Sequence, residues 1–487
     1  MPPELRRTMP PASGKRASIA PRAAIAVLIG RASGGLTRRL GISGGTSLPG
    51  LVAQIADPGL IQRLAAQARY GVVVVTGTNG KTTTSGIVSR VLRVGGLRVW
   101  RNKEGSNLAR GIATSLLRQA GPSGRLRENG DGAFVFEVDE AAFARIATDL
   151  QPRVTVVTNL FRDQLDRYGE VDTVAERWRV SLKRLPATSI LALNADDPAV
   201  AALADDFAGK VIYFGVETTP THDNADELTQ VIDTRTCPRC RSVLNFDPRF
   251  YSHIGHWSCA NCGFARPTTQ ISARVISADI TGARLTLITP GGSGEVTTNL
   301  PGLYNVYNAL AAAAAGYAVG VEFAAIAGGL AQFTPAFGRA ETIPANGRFI
   351  RILLTKNPTG LNEALRALVG DRTGPRKHLL MLLNDRAADG EDVSWIWDAD
   401  FEQLAGTTAT LTASGGRAYD LALRLKYAGE APQFVEPDVS AALDHALAAT
   451  PEGETLYIVP TYTAMLAVRG EIEKRGFAAR YWETPDE

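Results

Sequence analysis

Short apolar runs alternate with helix-length segments through most of the 487-residue chain. The first clear run, Val72–Val75, consists of four β-branched residues, and apolar residues at helical spacing follow it from Thr84 to Val94. Comparable runs recur at 134–138, 154–158, 190–193 and 211–214. Strands that are buried on both faces of a parallel sheet have this continuous apolar character. The alternation therefore predicts an α/β domain with a doubly wound parallel sheet.

A break in this pattern near residues 334–338 divides the chain. New apolar runs follow at 349–354, 378–383, 409–412 and 456–459, which predicts a second, smaller, Rossmann-like α/β domain. A chain of this length also exceeds what a single core usually holds. We therefore predict three parts: an N-terminal lead-in segment (1–55), a central domain (56–338) and a C-terminal domain (339–487).

Charge and hydropathy exclude two classes of function. The 52 basic and 49 acidic residues leave a net charge of +3, far from the basic surface that nucleic-acid binding requires. The apolar stretch 309–321 has about half the length needed to span a bilayer. The basic N-terminus, with its apolar run 23–29, lacks a clear cleavage site and favours an amphipathic helix over a signal peptide. We expect a cytoplasmic protein with no transmembrane segment and no nucleic-acid partner.

The segment Thr76-Gly-Thr-Asn-Gly-Lys-Thr-Thr-Thr84 lies where the first predicted strand meets its helix. Glycines allow backbone N–H groups to approach phosphate oxygens, and the following helix offers its positive end. Lys81 can reach the terminal phosphates and Thr82 can bind magnesium, although Val75 occupies the first glycine position of the usual pattern. The alternative is a turn with a solvated lysine. The predicted nucleotide-binding residues here are Gly77, Thr78, Asn79, Gly80, Lys81, Thr82 and Thr83.

This glycine-rich segment after a valine-rich strand resembles the Mur ligases and the folylpolyglutamate synthases. Segments 158–169, 194–197 and 302–308 resemble further elements of that family in the same order. The resemblance implies a Mur-ligase-type central domain that uses ATP and Mg²⁺. It also implies that Asn308 binds adenine and that Arg339 contacts the phosphates or the ribose. The alternatives are helix capping by the asparagine and a surface ion pair of the arginine.

The family places an acidic magnesium ligand at the end of a later strand, and Glu137 matches it, with Asp139 and Glu140 beside it. Carboxylates at the end of a buried strand are costly unless a cation or water satisfies them, and Mg²⁺ prefers oxygen ligands. A solvated acidic loop is the alternative. The sequence departs from the family at two positions: Gln164 replaces a metal-binding histidine, and Arg179 stands where many members carry a carbamylated lysine. The resemblance therefore does not supply a second magnesium site.

All four cysteines fall in one short segment with the spacing C-x2-C-x18-C-x2-C: Cys237, Cys240, Cys259 and Cys262. This spacing is typical of a Zn²⁺ site with four thiolate ligands, which leaves no open position and is therefore structural. Four unrelated cysteines and a redox pair are the weaker alternatives. We predict a zinc ribbon over about residues 233–268, inserted in the central domain.

The inserted ribbon, the Gly-rich segment 44–50 and several C-terminal segments narrow the resemblance to the MurT family of Mur-ligase-like subunits. That resemblance implies ATP-dependent amidation of the glutamate α-carboxylate in the lipid II stem peptide, at the inner face of the cell membrane. It also implies a heterodimer with a GatD-like glutaminase that supplies ammonia. A glutaminase needs a cysteine nucleophile, and every cysteine here belongs to the predicted ribbon.

In this family an aspartate of the C-terminal domain is thought to complete the partner's Cys-His pair. Asp398, after Trp395-Ile-Trp397, is the preferred candidate, and Asp392 is the second. Either could instead be a helix cap or a surface carboxylate. Together with Lys81 and Glu137, these two residues form the predicted catalytic set.

Two other functions remain open from the sequence. One is a free-standing ligase that joins an amino acid to a carboxylate, as folylpolyglutamate synthase does. The other is a zinc-ribbon interaction module with a degenerate nucleotide site.

Overall fold

The computed structural model describes residues 21–39, 47–102, 106–162, 171–220, 233–334, 339–370 and 375–479. Within these residues the chain forms two α/β units and a two-stranded hairpin. No helix in the described ranges is both long and apolar enough to cross a membrane.

The central unit is built on a nine-stranded sheet in the order β11-β10-β9-β6-β5-β4-β1-β3-β2. The predicted strands are confirmed, and β2, β9, β10 and β11 are additional. The strand bounds are β1 Val72–Thr76, β2 Val99–Arg101, β3 Ala133–Glu137, β4 Val154–Val157, β5 Ile190–Asn194, β6 Lys210–Thr218, β9 Ile271–Ala278, β10 Ala283–Thr289 and β11 Gly292–Thr298.

The prediction of a doubly wound parallel sheet is confirmed for most of the sheet and was wrong at one edge. From β2 across β3, β1, β4, β5 and β6 to β9, every neighbouring pair is parallel. Strand β10 pairs antiparallel with both β9 and β11. In β10 buried and more exposed residues alternate, as in antiparallel strands that have one wet face. The fold is therefore α/β with a mixed sheet.

Two hydrophobic cores flank this sheet, because successive side chains of a strand point to opposite faces. Val73 and Val75 of β1 belong to one core and Val72 and Val74 to the other. The helix bounds are α1 Pro21–Arg39, α2 Leu48–Ala56, α3 Leu60–Ala65, α4 Lys81–Val94, α5 Ala109–Gln119, α6 Glu140–Leu150, α7 Val171–Leu182, α8 Pro198–Ala201, α9 Leu303–Val319 and α10 Phe323–Ala331. Helices α1 and α2, from the predicted lead-in segment, pack into the second core together with α5.

The C-terminal unit contains a six-stranded sheet in the order β12-β13-β17-β14-β15-β16. All its pairings are parallel except that of β12 with β13. The bounds are β12 Arg339–Ala345, β13 Arg348–Leu353, β14 Lys377–Leu382, β15 Thr408–Ser414, β16 Phe434–Glu436, β17 Thr455–Pro460, α11 Pro358–Val369, α12 Ala418–Tyr427, α13 Val439–Ala449 and α14 Tyr462–Lys474.

The four cysteines flank a hairpin of β7 (Asn245–Tyr251) and β8 (Ile254–Ser258), which we call the cysteine hairpin. It is anchored on the central sheet by the Trp257 indole, which donates to the Ala195 carbonyl at 2.9 Å, and by the Gly255 N–H, which donates to Asp196 O at 3.0 Å. The Asp196 side chain is fully buried and accepts hydrogen bonds from Arg266 at 2.6 Å and from the Tyr307 hydroxyl at 2.7 Å. The cysteine hairpin therefore packs on the segment Asn194–Asp197, at the carboxyl end of β5.

Candidate functional site

The glycine loop between β1 and α4 has a backbone that only glycine accommodates easily at two positions. Gly77 and Gly80 have φ values of +135° and +83°. A Cβ atom on Gly80 would lie 2.0 Å from Asn308 Oδ1, and one on Gly77 would lie 2.1 Å from Thr158 Oγ1. The loop is also held by its neighbour strand, since the Asn79 N–H donates to Asn159 Oδ1 at 2.8 Å. Its shape is therefore fixed before any ligand arrives.

Lys81 is 7% exposed and points back into this loop. Its ammonium group donates to the Gly77 carbonyl at 2.7 Å, to the Thr78 carbonyl at 3.0 Å and to Glu140 Oε1 at 2.7 Å. The sequence placed Glu140 only beside the magnesium ligand and missed its pairing with Lys81. The sequence did contain a signal for this pairing: Glu140 lies three residues after Glu137, in the first turn of α6.

Thr82 and Glu137 meet at the mouth of the loop, where the threonine hydroxyl donates to Glu137 Oε2 at 2.7 Å. Asn102 fixes the backbone of Glu137 from both sides, accepting from its N–H and donating to its carbonyl at 3.0 Å each. A hydroxyl and a carboxylate are the oxygen ligands that Mg²⁺ takes beside nucleotide phosphates. The two predicted magnesium ligands are therefore in contact, and the donor set fits the ion.

Asn308 lies beneath the glycine loop on α9 and is 3% exposed. Its carbonyl oxygen accepts from the Thr84 hydroxyl at 3.1 Å, and its amide donates to Asn305 Oδ1 at 2.8 Å. It also lines the cleft described below, and its contact with adenine stays a prediction. Arg339 begins β12, and its side chain lies outside the described part of the structure.

A cleft of about 430 Å³ opens at the carboxyl ends of β1, β3 and β4, where ligands bind in open α/β sheets. The C-terminal unit closes one side, with Lys356, Thr359, Glu363 and Tyr462 among the lining residues. The predicted residues from Thr78 to Thr83, with Glu137 and Asn308, line the other side. The cleft therefore joins both units around the glycine loop.

The two candidate aspartates differ in their surroundings. Asp398 is 42% exposed and accepts a hydrogen bond from Arg162 Nη2 of the central unit at 3.0 Å, while the same arginine binds Asp233 at 2.8 Å. Burial alone would lower the pKa of Arg162, but its bonds to Asp233 and Asp398 raise it above its ordinary value. Asp392 accepts from the Ser394 N–H at 2.8 Å, and its bonds to Ser394 lower its pKa.

The four cysteine sulfurs lie within 4.8 Å of one another. The residues four positions after the first cysteine of each pair, Arg241 and Gly263, both have positive φ, so the two turns have matching backbones. Hydrogen bonds from Asn261 and Ser242 lower the pKa of the Cys240 thiol to about 5. Thiolates in this spacing suit tetrahedral Zn²⁺.

Of the two departures from the family pattern, only Arg179 lies in the described part of the chain. Gln164 lies outside the described residues. Arg179, on α7, is 44% exposed and forms an ion pair with Glu176 at 2.8 Å.

Two family profiles match the chain: "Mur ligase middle domain" over residues 75–237 and "MurT ligase C-terminal" over residues 354–465. The "Lipid II isoglutaminyl synthase (glutamine-hydrolyzing) subunit MurT" of Staphylococcus aureus (strain COL) is 33% identical over 434 residues, which are 88% of this chain and 93% of the relative. The subunit of the same name from Streptococcus pneumoniae (strain R6) is 33% identical over 458 residues, 93% of this chain and 97% of the relative.

Among solved structures, a pseudomurein peptide ligase type C from Methanothermus fervidus superposes with a TM-score of 0.62 at 24% identity. The match covers 83% of this chain and 78% of that one. At this identity the similarity supports the fold only.

Proposed function

The chain belongs to the MurT family of Mur ligases, and from that premise we propose that it is the ATP-using subunit of a lipid II isoglutaminyl synthase. The relatives carry that activity in their names. The observation that supports this proposal most is the cleft between the two units. Lys81, Thr82 and Glu137 line it beside the glycine loop. The expected domain boundaries are 1–55, 56–338 and 339–487.

The proposed reaction has two steps. A carboxylate oxygen of the glutamate in the stem peptide attacks the γ-phosphorus of ATP, and ADP leaves. Ammonia then attacks the acyl carbon, phosphate departs with that oxygen, and the amide remains. Lys81 stabilises the charge on the transferring phosphoryl group, and Thr82 and Glu137 would hold a Mg²⁺ ion, which would supply neutralising charge to the phosphates. Adenine contact by Asn308 and phosphate or ribose contact by Arg339 belong to the same proposal.

Ammonia comes from a GatD-like glutaminase in a heterodimer. All four cysteines of the chain are gathered in the cluster, which leaves none for a glutaminase nucleophile. Asp398 is the preferred candidate to orient the partner's histidine, with Asp392 as the second. Both carboxylates are exposed; Asp398 accepts a hydrogen bond from Arg162 of the central unit, and Asp392 accepts one within its own turn. The substrate is presented at the inner face of the cell membrane.

An exposed aromatic stripe beside Asp398 fits this partner. Tyr419, Leu423 and Tyr427 follow one face of α12 and are 70%, 48% and 72% exposed, respectively. Trp397, 51% exposed, extends the stripe with its ring 5.8 Å from that of Tyr427. Exposed aromatic patches of this kind mark protein interfaces and carry much of their binding energy.

We expect Tyr427→Ala to weaken binding of the glutaminase by about 30-fold, the effect of losing a hot-spot residue worth about 2 kcal/mol. The matched control is Val243→Ala, which removes an equally exposed apolar side chain in the cysteine-containing segment 233–268. This variant should keep full affinity for the glutaminase. Titration of the partner by calorimetry measures both. If Tyr427→Ala and Val243→Ala bound the glutaminase with equal affinity, the aromatic stripe would not be part of the interface.

The cysteine cluster is proposed to hold one structural Zn²⁺ in a ribbon over residues 233–268. Elemental analysis of the purified chain should give one zinc per molecule. Cys259→Ser should lose the metal and lower the melting temperature strongly, because binding of structural zinc, about 10–16 kcal/mol in small domains, is folding free energy. If the wild-type protein contained no zinc and Cys259→Ser had the same melting temperature as the wild type, the site would be refuted.

Reconstitution tests the proposed function as a whole. The purified chain and its partner, with lipid II, glutamine, ATP and Mg²⁺, should give a product in which mass analysis finds one carboxylate converted to an amide. Formation of an adduct with an amino acid, and none with ammonia, would favour the free-standing ligase instead. ATP hydrolysis that is independent of lipid II would favour neither.

A further inference from the structure

The cysteine hairpin reaches the wall of the nucleotide cleft. Tyr251, at the end of β7, is 2% exposed and lines the cleft. Its ring lies 6.3 Å from that of Phe161, centroid to centroid. The Phe161 backbone is in turn bonded to the Thr78 hydroxyl of the glycine loop, which accepts from its N–H at 3.0 Å and donates to its carbonyl at 3.1 Å. The hairpin therefore packs on the residue that supports the phosphate-binding loop.

The same hairpin is bonded to the C-terminal unit. Arg366 Nη1 on α11 donates to the Phe250 carbonyl of β7 at 2.7 Å. One turn earlier on α11, Glu363 is 3% exposed and lines the cleft. Burial, with the charge of Glu363 as the next cause, raises the pKa of Tyr251 well above its ordinary value and that of Tyr304 to about 12. Tyr251 of the hairpin, Tyr304 of α9 and Glu363 of α11 all line the same cleft.

Helix α11 is also fixed at its other end. Asn357, its N-cap residue, accepts from the Gly360 N–H at 2.8 Å. Its amide exchanges two hydrogen bonds with the amide of Asn79 in the glycine loop, at 2.9 and 3.2 Å. The glycine loop thus contacts α11, α11 contacts the hairpin, and the hairpin contacts the glycine loop through Phe161.

We propose that the cysteine hairpin is a positioning element of the nucleotide site, with Arg366 as its link to α11 and Tyr251 as the positioning residue in the cleft wall. The hairpin holds α11 of the C-terminal unit against the glycine loop, so the arrangement that binds nucleotide is formed in advance. Loss of the link lowers the fraction of molecules in that arrangement, and the apparent affinity falls by the same fraction. This inference rests on the proposed nucleotide site but requires neither lipid II nor the glutaminase.

The test measures binding of Mg-ADP to the purified full-length chain by calorimetry, below the melting temperature of every variant, with zinc content determined in parallel. Arg366→Ala removes the charge-assisted hydrogen bond to Phe250 and the ion pair with Glu363 at 3.6 Å, and it should weaken Mg-ADP binding by up to about 10-fold while zinc content stays native. Arg366→Lys keeps a donor and should recover most of the affinity. Tyr251→Ala should weaken binding similarly, and Tyr251→Phe should stay near wild type because the ring provides the packing.

Arg239→Ala is the matched control. Arg239 forms a paired contact with Asp205 at 2.6 and 3.0 Å and lies over the Phe264 ring at 3.6 Å, at the cysteine end of the insert. Its loss should lower the melting temperature and leave Mg-ADP affinity unchanged.

Native affinity in both Arg366→Ala and Tyr251→Ala, with loss of binding in Lys81→Ala, would overturn this inference and leave the nucleotide site standing. Zinc loss in Arg366→Ala would also contradict it, because the variant would then act by unfolding the insert. Absence of Mg-ADP binding in the wild-type chain would overturn both proposals.

Discussion

Lys81→Ala should reduce amidation by at least about 10²–10³-fold with either glutamine or ammonium, since it removes a preorganised charge from the transferring phosphoryl group. The ammonium group is buried in the loop and paired with Glu140 at 2.7 Å. The measurement is the rate of lipid II amidation by the purified complex at saturating ATP. Unchanged turnover would exclude this loop from phosphoryl transfer.

The pairing with Glu140 requires a control for folding. Lys81→Ala leaves a carboxylate that is 6% exposed without its cation, and breaking a buried pair on one side costs about 3–5 kcal/mol. The double variant Lys81→Ala/Glu140→Ala removes both charges and should recover much of that stability while remaining inactive. Recovery of activity along with stability would show that the single variant failed through its fold.

Asp398→Asn should depress glutamine-dependent amidation by about 10²–10⁴-fold, because the partner's histidine would lose the carboxylate that orients it and stabilises its charged form. The asparagine oxygen can still accept from Arg162, so the contact between the two units is kept. High ammonium should restore product in Asp398→Asn but not in Lys81→Ala. The readout is amidation with each nitrogen source, measured in the same preparations.

Asp233→Asn is the matched control, because Asp233 binds the same arginine at 2.8 Å and is 4% exposed. If Asp398 acted only by holding Arg162 in place, Asp398→Asn would resemble Asp233→Asn with both nitrogen sources, and ammonium would not distinguish the two variants. A normal Asp398→Asn alongside an impaired Asp392→Asn would move the role six residues upstream.

The local parts of the site were predictable from sequence. The glycine loop lies between a strand and a helix whose patterns are each clear. Thr82 comes after β1 and Glu137 is the last residue of the adjacent strand β3, and the carboxyl ends of these two strands share one edge of the sheet. The cysteine spacing likewise specifies its own cluster. The family assignment is confirmed by the comparisons, whereas the individual residue roles stay predictions.

The contacts between units could not be read from the sequence. Asn79 and Asn357 are 278 positions apart, and Arg366 is 116 positions from Phe250. Nothing in either local pattern indicates that these residues meet. Tyr251 was missed for the same reason, because a tyrosine near the end of a short strand has no signature of a cleft wall. The antiparallel edge was missed although the alternation in β10 was visible.

The fate of the substrate oxygen tests the proposed chemistry most directly. The glutamate carboxylate of lipid II is labelled with oxygen-18, and the inorganic phosphate released with ADP is analysed after a single turnover. Attack of the carboxylate on the γ-phosphorus predicts that one labelled oxygen is transferred to phosphate for each amide formed. Amide formation with unlabelled phosphate would contradict carboxylate activation by this chain.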